Sequence, residues 1–160
     1  MMQNGTGPAQ RAEWPVNMFV DALKDAVATM AGITMESADE SLSAGEAGMA
    51  GMMVLSGETP VVLMILADQA SAAGIVTNMT GIDSGELTPA DLRDGLAELV
   101  NMVAGSVKGR LAGSGRSFKL SSPLVVTGEA LAVYAKRHVE CSLNRLVAGD
   151  IWLELKIFHI

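Results

Sequence analysis

"TPADLRDGLAELVNMVAGSVKGRL", from Thr88 to Leu111, decides how the rest of the chain has to be arranged. Its first four residues carry three helix-start signals. The Thr88 hydroxyl is placed to accept from a free backbone N–H, and Pro89 stands where no N–H is needed. Asp91 puts an acid three residues after the cap, the spacing of a capping box. Leu92, Leu96, Leu99, Val100, Val103, Val107 and Leu111 then recur at steps of three and four and make one apolar stripe. "AGSGRS" ends the run at Ser117. A helix with one apolar stripe has to bury it against another element.

The flanking segments supply those elements. "WPVNMFVDALKDAVATMAG" predicts a first helix between Pro15 and Gly32, with Val16, Phe19, Val20, Leu23, Val27 and Met30 on one side. "AGMAGMMVLSG" and "TPVVLMILA" are short apolar runs around the turn "SGETP", and read as strands. "DQASAAGIVTNMTG" reads as a short helix capped by Asp68 and stopped by Gly81, with "IDSGEL" as a loop after it. Beyond the long helix, "FKLSSPLVVTG", "ALAVYAKRHVECSL" and "DIWLELKIFHI" are strand-like, separated by "GE" and "VAGD". The order is α+β, not the regular alternation of a doubly wound sheet. Residues 1–13 read as a flexible polar tail and 14–160 as one domain.

The two long helices share a pattern. With Gly32 laid on Gly105, Phe19 meets Leu92, Leu23 meets Leu96 and Val27 meets Val100. This implies two related halves, about 14–81 and 82–160. Asp25 then falls on Glu98 and Ala28 on Asn101, so the asparagine is present in one helix only.

Composition excludes several functions. The net charge of −7 and pI near 4.7 argue against nucleic-acid binding. The basic cluster Lys136–His138 lies in an alternating run and reads as a solvated strand edge. No glycine-rich phosphate loop opens a helix. Cys141 is the single cysteine, read as a half-buried strand residue, and His138 and His159 lack partners at metal-ligand spacing, so no metal site is expected. The run Val61–Ala67 is too short to span a bilayer, which points to a soluble cytoplasmic protein. The 11 methionines fall mostly among apolar positions and read as core filler.

The other side of the long helix asks for an explanation. At 100° per residue, Asp94, Glu98, Asn101, Gly105 and Lys108 lie together, opposite the stripe. A solvated face accounts for the charged residues. It does not account for Asn101, a mediocre helix former, or for Gly105, which costs ~1 kcal/mol against alanine. A docking surface accounts for both: the glycine admits a close approach and the asparagine offers a carboxamide.

At these residues "ELVNMVAGSVK" resembles the E-x-x-N pattern of the CheC/CheX/FliY chemotaxis phosphatases, down to Ala104-Gly105 and Lys108. Ser106 stands where asparagine is more usual. The motif on the second helix only makes the chain similar to CheX. The resemblance implies a fold of two long amphipathic helices packed with an antiparallel sheet, in two pseudo-two-fold halves. It implies hydrolysis of the aspartyl phosphate of a phosphorylated CheY-like response regulator, in chemotaxis or another two-component pathway. Asn101 would orient the attacking water and Glu98 would pair with a lysine of the regulator. The regulator would hold Mg²⁺ itself, leaving this chain without a cofactor of its own. The alternative is a non-catalytic module that docks a regulator, related to flagellar switch proteins. A homodimer is also expected, with "IWLELKIF" as a sheet edge in need of a partner.

Overall fold

The computed structural model describes residues 14–39 and 45–160. The expected N-terminal tail lies outside the described residues. In chain order the elements are α1 (Val16–Ala31), β1 (Glu36–Ala38), β2 (Met49–Ser56), β3 (Val61–Ala67), α2 (Gln69–Thr80), α3 (Pro89–Leu111), β4 (Lys119–Leu120), β5 (Leu124–Thr127), β6 (Glu140–Ala148) and β7 (Ile151–His159). The strands form one sheet in the order β1-β6-β7-β3-β2-β4, with β5 also on β2. Every pairing is antiparallel. The α+β expectation therefore holds.

Helix ends fall where the sequence signals them. Gly32 and Gly81 close α1 and α2 in the left-handed conformation, and the Asp68 carboxylate accepts from Ser71 N at 2.7 Å to cap α2. The helices lie on one side of the sheet. Phe19, Leu23 and Val27 of α1, Ile75 and Val76 of α2 and the stripe of α3 share a core with Met53, Leu55, Leu63, Ile65, Leu153, Leu155 and Ile157 of the strands.

The second side of the sheet departs from expectation. The run "ALAVYAKRHVECSL" alternates as a strand does, but only Glu140 onward joins the ladder. Residues 130–139 instead cross the second face, with Leu131, Val133, Ala135 and Val139 packed on Ala50, Met64, Leu66 and Phe158. The crossing is tied down by Leu131 N donating to Ala47 O at 2.7 Å and Lys156 Nζ to Val133 O at 3.3 Å. Lys136–His138 are thus in a loop and not on a strand edge, with His138 at φ 78. Cys141 is on β6 as expected, but its residue is exposed and not half-buried; desolvation by the atoms packed around the thiol, above all, raises its pKa.

Two further expectations change, and one strand is new. "FKLSSPLVVTG" forms two short strands, β4 and β5, broken at Ser121–Pro123. β1 carries no sequence signal at all. The terminal run is no edge: β7 lies between β6 and β3, so its backbone is paired on both sides. The ground offered for a dimer at β7 is removed.

Hairpins β2–β3 and β6–β7 meet at the β3–β7 pair, and each has at its outer side the short strand of the other half. The two-fold relation between 14–81 and 82–160 is consistent with that order and stands as a proposal.

Candidate docking and catalytic face of α3

α3 is fixed at both ends and along its length. At its start the Thr88 hydroxyl accepts from Asp91 N at 3.2 Å, and the Asp91 carboxylate accepts from Thr88 N at 2.7 Å. The Thr88 hydroxyl also donates to that carboxylate at 2.7 Å. These bonds, the hydroxyl's first, hold the Asp91 carboxyl below its ordinary pKa. All seven residues of the predicted stripe are buried, together with Gly95 and Ala104. Two glycines let the helix sit close to its neighbours. A Cβ on Gly51 of β2 would lie 2.7 Å from Val100 Cγ2, and one on Gly95 would overlap Val76 of α2. Near the other end Arg110 forms an ion pair with Asp25 of α1 and donates to Ser106 Oγ at 3.2 Å.

This anchoring leaves one side of α3 outward. Asp94, Glu98, Asn101, Gly105 and Lys108 are all exposed. At 100° per residue they occupy an arc of about 80°. Among the described residues, neither the Glu98 nor the Asn101 side chain has a hydrogen-bond or ion-pair partner within the chain. The structure thus brings together the five residues singled out from sequence. Gly105 is open: among the described residues a Cβ there would meet nothing within 4 Å. Its helix cost therefore gains the fold nothing, unlike that of Gly95.

Two further residues of the face were not singled out from sequence. Met102 is 40% exposed, one turn after Glu98 and one turn before Gly105. Gly109, the next turn on, is as open as Gly105. The signal for Met102 was its place off the apolar stripe. Reading the methionines as a group hid it, since Met35, Met49, Met53 and Met64 are indeed buried.

Asp25, the α1 residue that overlays Glu98, is held by Arg110. A cavity of about 320 Å³ lies on the opposite side of the sheet, lined by Trp152, Arg145, Glu154 and Lys156 among others, and α3 contributes nothing to it. Among the described residues no three His, Cys, Asp or Glu side chains gather to hold a metal ion, and no helix is long and apolar enough to cross a membrane.

An acid and a carboxamide on the outward side of α3 suit the class of protein whose polar groups meet another molecule's surface. Comparison with known proteins gives that class a family. The model of the chemotaxis phosphatase CheX family matches residues 49–143, more than half of the chain. The chain belongs to the chemotaxis phosphatase CheX family. The chain is similar to the crystal structure of chemotaxis protein CheX from Vibrio vulnificus, with a TM-score of 0.79 and 25% identity over 89% of this chain and 94% of that one. It is also similar to a CheC-like superfamily protein from Shewanella sp. PV-4, at 0.75 and 23% over 89% and 95%. A third similar structure is the CheX-CheY-BeF3-Mg²⁺ complex from Borrelia burgdorferi, at 0.68 and 18% over 90% and 96%. No curated protein sequence matches.

Proposed function

We propose that the chain hydrolyses the aspartyl phosphate of a CheY-type response regulator in the cytoplasm, and that Glu98 and Asn101 carry the reaction. Membership of a phosphatase family supplies the reaction class. The observation that supports the site is the pair itself: Asn101 one turn after Glu98, both outward and unpartnered among the described residues. In this reaction a water oxygen attacks phosphorus and the bond to the regulator's aspartate oxygen breaks. The carboxylate leaves and inorganic phosphate forms. Such a transfer needs positioning and charge neutralisation more than covalent help. The Asn101 carboxamide orients the water in line with the breaking bond. The Glu98 carboxylate pairs with a lysine of the regulator, and Asp94, Gly105 and Lys108 form the docking surface around them. Mg²⁺ is the regulator's, and this chain contributes no ligand to it.

The test is direct. Phosphorylated receiver domains from the same genome are mixed with the protein, and loss of the phosphoryl group is followed against spontaneous decay. Accelerated loss with at least one receiver is the expected result. Binding without acceleration would make the chain a docking module.

A homodimer also belongs to this proposal, on a different edge from β7. β5 is hydrogen-bonded on one side, to β2, and carries exposed Leu124 and Val126. An open apolar edge is covered when a second copy pairs with it. A monomer mass by light scattering at micromolar concentration would remove the dimer.

A further inference from the structure

We propose that Met102 is the specificity-determining contact of the α3 face, and that Gly109 extends the docking track one turn beyond Gly105. The occupant is the phosphorylated receiver domain of the proposed function, on which this inference rests, and it presents an apolar side chain to Met102. Three observations carry it. Met102 is 40% exposed on a helix whose other large apolar residues are buried. It adjoins Glu98 and Gly105 at one turn's distance on either side, so a partner covering Glu98 and Asn101 covers Met102 as well. Gly105 and Gly109, on successive turns, leave open space where side chains would stand. Beside Met102 they form a shallow trough that a partner's backbone can enter.

The chemistry divides the labour. Glu98 and Asn101 are polar and directional, and they meet a lysine of the receiver and the water in line with its phosphoryl group. An apolar contact discriminates by shape and by burial. A thioether on an unbranched chain adapts to several partners of similar size and rejects polar ones. Met102 therefore acts on binding and leaves the chemical step alone.

The experiment measures hydrolysis of a phosphorylated receiver across its concentration range. Met102→Gln keeps side-chain length and helix propensity while removing the apolar tip. KM should rise about tenfold with kcat within twofold of the parent, as expected for burial of a single apolar side chain. Met102→Leu should restore most of the affinity. Gly109→Leu should raise KM as well, while thermal unfolding occurs at or above the parent's midpoint. A KM for Met102→Gln within twofold of the parent's, or a loss confined to kcat, overturns the inference and leaves the proposed function standing. A parent inactive on every receiver overturns both.

Discussion

α1 and α3 are both long, amphipathic and packed on the same core, yet their outward sides are different. α1 has 16 residues and ends at a left-handed Gly32, whereas α3 has 23 and runs on past Gly105 to Leu111. Gly32 is thus a stop, and the glycine that overlays it is an interior position with open space around it. The acids differ in the same way. Asp25 is neutralised by Arg110, which the extra turns of α3 carry back towards α1, while Glu98 has no partner among the described residues. The additional length of α3 both extends its outward side and ties up the acid of the helix beside it. A motif residue is available for chemistry only when the fold leaves it unpaired.

The comparison is broken or sharpened most strongly at the pair. Asn101→Ala should slow hydrolysis on bound regulator by about 10²–10³-fold with little change in affinity, the scale of removing one positioned polar group. Glu98→Ala should lower affinity too, by roughly 2 kcal/mol if the charge pair is desolvated on docking and by under about 1 if it stays wet. Single-turnover rates and a titration with the regulator separate the two effects. If both variants match the parent, the outward side of α3 carries no catalytic pair.

Next come the glycines, where opposite signs are expected. Gly95→Ala should destabilise by roughly 1–3 kcal/mol, because its methyl group overlaps Val76. Gly105→Ala should stabilise by ~1 kcal/mol in urea unfolding while weakening docking, since its Cβ meets nothing among the described residues. A loss of stability from both would mean that Gly105 serves the interior.

The smallest effect is expected at Asp25. Asp25→Ala should leave hydrolysis unchanged and cost under about 1 kcal/mol, because the carboxylate is 69% exposed in its pair with Arg110. A large fall in activity from a folded variant would give α1 a site of its own.

The helices and the candidate site were legible because a 3.6-residue period reports burial directly: it turned Leu99 and Val103 inward and Glu98 and Asn101 outward. Strand pairing was less legible. Alternation at Leu131, Val133 and Ala135 reports an apolar surface on one side, and the back of the sheet meets that need without any ladder. β1 has three residues and one neighbour, too few for a pattern to develop. The terminal run "IWLELKIF" reads as an edge, and Glu154 and Lys156 give it one polar face. In the sheet those side chains join Arg145 in a row of ion pairs at 3.1 and 3.2 Å, beside the crossing segment. Polar residues on one face say nothing about which strands lie on either side.

The central position of β7 has a consequence for how the protein is made. β7 comes after every other described strand in the sequence, yet β6 and β3 are joined only through it. A ribosome therefore delivers the two outer parts of the sheet first and the piece between them last. Until residues 151–159 emerge, the inner edges of β3 and β6 are exposed, with apolar residues beside unpaired backbone groups. Nascent chains stalled before Ile151 should aggregate or recruit chaperones, and those released beyond His159 should not. The helix that carries Glu98 and Asn101 is complete some 40 residues earlier by the same order of synthesis, but the floor it rests on is finished only when the middle strand is in place.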